Sequence, residues 1–194
     1  MKNPLESLHL TLVLGLVLAI VALLLLHTGI AFSGQWWLFF FRWLHVLTAI
    51  LWIGLLYYFN FVQIPSMPKI PDEQKPAIGK VIAPAALFWF RWAAAATVLF
   101  GLLTALTNGY LIQALTFQSG VRTIGLGMWL ALIMAFNVWF VIWPNQKRVL
   151  GIVDADAETK KRSGRTAMLF SRTNTMLSIP MLYCMVAQQN IPGV

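Results

Sequence analysis

In a chain of 194 residues, 59% hydrophobic and only 10% charged, with a mean hydropathy of +0.75, there is too little polar surface to cover a water-soluble globule. The net charge of +8 would suggest nucleic acid in a soluble protein. Here the basic residues sit in short segments between apolar runs, where they set orientation and meet anionic lipid, so the expected partners are membrane lipids and other membrane subunits and not nucleic acid. The single cysteine, Cys184, excludes an internal disulfide and a cysteine-only metal cluster, and its apolar surroundings in sequence predict plain packing.

The first predicted element is an apolar run from Leu8 to Ile30. It is too long for the core of a cleaved leader and lacks a small-residue cleavage site, which predicts a retained first helix. His9 stands at its start and His27 near its far end. Ser33-Gly34-Gln35 predicts a short turn, with Trp36 and Trp37 at the level of an interfacial aromatic belt.

A second helix is predicted from about Trp36 to Val62, longer than the hydrocarbon needs and so tilted or protruding. Arg42 and His45, three residues apart, share one face of it, and Trp52 follows two turns further along that face. Ionisable groups inside a span are costly unless they meet a partner, water or the interface, so this face should look into protein or toward headgroups. Pro65, Pro68, Pro71, Pro76 and Pro84 follow, and their density predicts a semi-rigid extended loop.

A third span is predicted from Ala85 to Thr107, where Ala93-Ala94-Ala95-Ala96 would let a neighbouring helix approach closely. A fourth, Val121 to Trp143, is predicted to stop at Pro144. The polar stretch from Asn145 to Arg165 reads as a connecting loop, part of it helical. A fifth span, Thr166 to Gln188, contains Pro180 and should be kinked there. The expected fold is therefore all-α: one polytopic membrane helix bundle with five transmembrane helices at about 8–30, 36–62, 85–107, 121–143 and 166–188.

Lys2, Lys69, Lys75, Lys80 and the basic residues of the fourth-to-fifth connection all fall on one side of that arrangement. The N-terminus is thus expected in the cytoplasm and the C-terminus, at Val194, in the periplasm of a bacterial inner membrane. With this orientation the embedded polar residues form two groups. His27, Arg42 and His45 fall in the outer half, and Asn60, Arg91, Asn137, Arg172 and Asn174 in the inner half.

For the outer group, one reading is a haem b held by His27 and His45, because neutral imidazoles from neighbouring helices serve as axial ligands in membrane cytochromes. The other is that His45 is a hydrogen-bonding residue tying the second helix to a neighbour or partner, with no cofactor. The second is the expectation adopted here. For the inner group, one reading is an anion or quinone site built from two guanidiniums and amides. The alternative is that Arg91 and Arg172 reach for phosphate headgroups while the asparagines bond across helices. No metal-ligand spacing, nucleophile–base pair or glycine-rich phosphate loop is present in the sequence.

The run from Arg42-Trp43-Leu44-His45 through Leu51-Trp52-Ile53-Gly54 to Tyr57-Tyr58-Phe59 resembles the membrane domain of the bacterial urate hydroxylases, urate-oxidising proteins commonly fused to a C-terminal cytochrome c. Three further stretches agree in order: Phe88-Trp89-Phe90-Arg91-Trp92, then Asn137 through Pro144-Asn145-Gln146-Lys147, and Ser171-Arg172-Thr173-Asn174 with the following Pro180. The resemblance implies a urate-type oxidoreductase with histidines at the positions of Phe88, Thr173 and Gln189 and an acid at Ala93. It also implies further helices and a cytochrome c domain that these 194 residues do not include. Of those polar positions His45 alone is kept.

The function expected is therefore a non-catalytic integral membrane subunit of a larger assembly, of the electron-transport kind. The alternatives are a membrane oxidoreductase acting on urate or a similar purine, with His45, Arg91 and Arg172 as its candidate catalytic residues, and a small haem b electron carrier.

Overall fold

The computed structural model describes residues 3–191, so Lys2 and Val194, the two ends used in the topology argument, lie outside the described residues. Within them the secondary structure is helical, with no strand, as an apolar chain must be if every backbone polar group is to be satisfied away from water. The chain divides into two units, Met1–Phe40 and Phe41–Val194.

In the first unit, α1 (Leu8–Leu26) is uniformly apolar and has no buried residue. It ends one turn earlier than the sequence predicts. Thr28 and Gly29, a β-branched residue and a conformationally free one, weaken helix in the segment that follows. Phe32 adopts a left-handed backbone at φ 62°, and Trp36 is buried among Phe32, Trp37 and Phe40 at ring-centroid distances of 5.0, 4.9 and 4.7 Å. The predicted tryptophan belt is thus a stacked aromatic knot at the start of α2 (Gly34–Tyr57).

In the second unit the remaining helices are α3 (Ala83–Thr107), α4 (Leu111–Leu115), α5 (Arg122–Phe136), α6 (Trp143–Val149) and α7 (Ala157–Asn190). Among the described residues four helical stretches are long and apolar enough to cross a membrane: Leu8–Leu26, Gly34–Lys69, Lys75–Thr107 and Arg122–Val149. The fifth expected span lies within α7, which runs unbroken through Pro180. Its buried positions are Ser163, Ala167, Ser171, Asn174, Ser178 and onward through Met181, Cys184 and Ala187, spaced by three or four residues. This one helix turns a small, polar stripe inward and Met176, Ile179, Tyr183 and Val186 outward, so much of what lowers its mean hydropathy is packed against other helices. The core beneath it is formed by Trp52, Leu56, Phe90, Met134 and Val138, all fully buried.

Two expectations about proline are corrected. The extended loop predicted over Pro65 to Pro84 is largely helical, broken only at 70–74, and the fourth span continues through Pro144 to Val149. The physical reason is shared. A proline in an α-helix clashes with the carbonyl four residues earlier. Pro65, Pro84 and Pro144 each follow a stretch of π-helix, Tyr58–Gln63, Ile78–Ile82 and Asn137–Ile142. The carbonyl four residues before each proline, at Phe61, Lys80 and Phe140, falls inside that widened stretch, so the helix is re-registered ahead of the proline and carries on. Pro65 and Pro84 then occupy the first turn of the next segment, as does Pro144, where the missing N–H costs nothing.

The polar connection expected from Asn145 to Arg165 shrinks to residues 150–156, and α7 starts on a defined cap. The Thr159 N–H donates to Asp156 Oδ1 at 2.8 Å and the Thr159 hydroxyl to Oδ2 at 2.9 Å. The backbone bond, with help from the hydroxyl, holds the Asp156 carboxyl below the usual carboxylate range. A depressed folded-state value means that the cap's contribution is complete above the unfolded value and is lost as pH falls through the folded one. Protection of the first-turn amides of α7, taken as exchange relative to their intrinsic rates at each pH, is therefore expected to fall on acidification through that window. In Asp156→Ala protection should be low at every pH, whereas wild-type protection indifferent to pH would contradict the cap.

Candidate functional site

The face of α2 that carries Arg42, His45, Ala49 and Trp52 looks into protein, as the ionisable pair demands, and lines a cavity of about 640 Å³ built from second-unit residues alone. Beside it stands a face of α3 with Thr97, Gly101, Thr104 and Ala105, while α5 and α7 contribute Met128, Ala131, Met181, Met185 and Gln189. Small side chains on α2, α3 and α5 create the room, and a volume of this order suits a cofactor-sized ligand.

His45 is held in one orientation. Its Nδ1 lies 2.8 Å from the Thr97 carbonyl oxygen, which can only accept, so Nδ1 carries the proton and donates. In the neutral imidazole Nε2 is then a lone pair. Thr97 and Gly101 are one turn apart on α3, and the imidazole lies directly over Gly101. A Cβ there would come within 2.7 Å of His45 Cε1 and 2.9 Å of Nδ1. Gly101 is thus the position that admits the ring. Sequence reading missed it, although a lone glycine in the middle of an apolar span was the available signal.

Two more groups at this cavity are unusual. Arg42 Nε and Trp52 Nε1 are both buried without a hydrogen-bond partner, and an unmet buried donor typically costs about 1–3 kcal/mol. His27, the expected second member of the outer group, belongs to the first unit, where its exposed ring lies 6.3 Å from Phe39.

The inner group divides. Asn137 Nδ2 donates to Asn174 Oδ1 at 2.8 Å, and Asn174 Nδ2 donates to the Met134 carbonyl at 2.9 Å, tying α7 to α5 and the π stretch after it. Asn60 Nδ2 donates to Ser171 Oγ at 2.8 Å, and Tyr57 and Ser178 share a hydroxyl bond at 3.0 Å. The arginines stand apart from these amides. The Arg91 guanidinium lies over the Trp143 ring, 3.4 Å from its centroid, and Arg172 is exposed. Among the described residues no hydrogen bond or ion pair joins either arginine to Asn60, Asn137 or Asn174.

This contrast sets an expected result for the lysine variants. Arg172→Lys should leave thermal stability unchanged, because an exposed head need only reach phosphate. Arg91→Lys should lower stability by about 0.5–1 kcal/mol through loss of the planar stack. Equal melting temperatures for the two would contradict the stacking role.

Where the resemblance calls for polar side chains, Phe88 is exposed at the surface and Ala93 is buried in the core. The Thr173 hydroxyl returns to the Leu169 carbonyl of its own helix at 3.1 Å, and only Gln189 reaches the cavity. Among the described residues no three His, Cys, Asp or Glu side chains converge to hold a bare metal ion. A further polar staple was not legible in advance. Gln188 on α7 accepts from the Ile124 N–H at 3.0 Å and donates to the Gly120 carbonyl at 2.9 Å, capping α5 from a distant part of the chain.

No curated protein and no solved structure matches the chain. Residues 117–190, which span α5 to α7 with two of the four resemblance motifs and the part of the cavity lining on α5 and α7, match the urate oxidase N-terminal family.

Proposed function

We propose that this chain is a non-catalytic membrane subunit of a larger inner-membrane assembly of the electron-transport kind, descended from a urate-hydroxylase-like ancestor, with its lysine- and arginine-bearing segments on the cytoplasmic side. The observation that carries the reading is the fate of the polar positions implied by the resemblance. Of the substituted positions Phe88, Ala93 and Thr173 lie away from the cavity lining, and Gln189, a neutral amide, is the one that joins His45 at it. Substrate oxidation needs a proton acceptor and donor set around the reacting atoms, and His45 has no titratable partner from those positions. The remaining buried amides are engaged in holding helices together. Native electrophoresis after mild detergent extraction tests the reading. Migration in a complex with other chains is the expected result, and a lone species of 21.8 kDa plus detergent would count decisively against it.

A second reading has its own observation. Arg42 and His45 line one cavity from one helix face, which would suit an anionic purine held by a guanidinium beside an imidazole. Urate consumption by membranes containing the protein, lost in His45→Ala, would favour this oxidoreductase over the subunit.

A further inference from the structure

We propose that the cavity of the second unit is a haem b site, in which His45 Nε2 is an axial ligand to the iron and Arg42 pairs with the propionates. The assignment begins with the imidazole. Its Nδ1–H is committed to the Thr97 carbonyl at 2.8 Å, and metal-binding histidines are held in this way, with the far nitrogen oriented and made more basic by a backbone acceptor. Gly101 is the price of that orientation on α3, since any side chain there would displace the ring.

Around Nε2 the chemistry fits a porphyrin better than other lipophilic ligands. A bare ion would need three or more protein ligands, and no such group exists among the described residues; a porphyrin brings four nitrogens of its own and asks for one or two. An oxidised isoprenoid quinone presents only carbonyl acceptors, which could meet Arg42 and Trp52 but would leave the His45 lone pair unmet, and only its reduced form could donate to that nitrogen. Iron uses that lone pair. Arg42 sits one turn from His45 on the same helix face, and its Nε is buried without a partner, so a propionate carboxylate would supply the charge-assisted bond it lacks. The lining also carries the thioethers of Met128, Met181 and Met185 from α5 and α7, a soft ligand type that pairs with histidine in other haem proteins.

This site lies wholly in the second unit and does not use His27. It goes beyond the subunit reading and stands or falls separately, because haem is read optically in the isolated protein whereas assembly is read from migration.

The test is titration of the purified full chain in detergent with haemin, followed by dithionite reduction. A Soret band saturating at one haem per chain, with a sharp α band on reduction, is the expected result. His45→Gln keeps an amide donor for the Thr97 carbonyl but offers no iron ligand, and should weaken binding by at least about tenfold while leaving the melting temperature near that of the parent. His45→Gly should lose the band and regain it with added imidazole. Arg42→Gln should weaken binding without abolishing it. The proposal is overturned if no saturable Soret band forms, or if His45→Gln and His45→Gly bind haem as the parent does. Saturable tryptophan quenching by a soluble quinone analogue with no Soret response would also overturn it, and assign the cavity to a quinone.

Discussion

Gly125→Ala is expected to destabilise the protein by about 1–3 kcal/mol, the usual cost of forcing atoms into a packed interior. Gly125 lies in the first turn of α5, against α4, and a Cβ built on it would collide with the Ala114 carbonyl oxygen and fall 3.0 Å from its carbon. The obstacle is backbone and cannot rotate aside. Ala114 is itself fully buried, so α4 would have to lift off α5 as a unit, exposing the cluster of Ala105, Ala114, Ile124 and Met128. Gly15 in α1 supplies the control, since a Cβ there meets nothing within 4 Å. Gly15→Ala should be neutral or gain up to about 0.5–1 kcal/mol from the better helix former. Thermal unfolding followed by intrinsic fluorescence in detergent measures both, and equal melting temperatures would show that α4 is not packed as described.

The second large effect is expected at Asn174. This side chain is fully buried and joins two partners, accepting from Asn137 and donating to the Met134 carbonyl. Asn174→Ala removes both bonds and strands the Asn137 amide in a site where it is 6% exposed. Buried groups left unmet cost about 1–3 kcal/mol, although interhelical bonds within membranes average nearer about 0.6 kcal/mol because the unfolded chain finds other partners. A loss at the upper end is expected here, because the Ala variant also leaves a cavity against the packed backbone of α5. Converting Asn137 to Leu as well should recover part of the loss, since the stranded donor is then gone. A double variant as unstable as the sum of the two single changes would mean that the amides act independently.

Much of this architecture was legible in the chain itself. Apolar run lengths anticipated the four helical stretches long and apolar enough to cross a membrane, because crossing hydrocarbon sets a minimum length. Helical periodicity placed Arg42, His45 and Trp52 on one face, and all three line one cavity. The cost of embedded amides predicted that the asparagines would bond across helices, as Asn60, Asn137 and Asn174 do. These are local quantities, set by composition and by positions within a few turns.

What tertiary structure alone decided depends on residues far apart in sequence. Arg91 was grouped with the asparagines by depth, but it stacks on Trp143, 52 positions away, and depth along a helix says nothing about which neighbour a side chain faces. The expectation that proline ends a helix failed at Pro65, Pro84 and Pro144 because π turns upstream, which no propensity reveals, re-register the backbone. The pairing of His45 with the Thr97 carbonyl over Gly101 needs two helices brought to contact distance. The sequence determined that an imidazole had to find a partner inside the bundle; only the packing of α2 on α3 decided that its partner is a backbone carbonyl and that the ring lines a cavity.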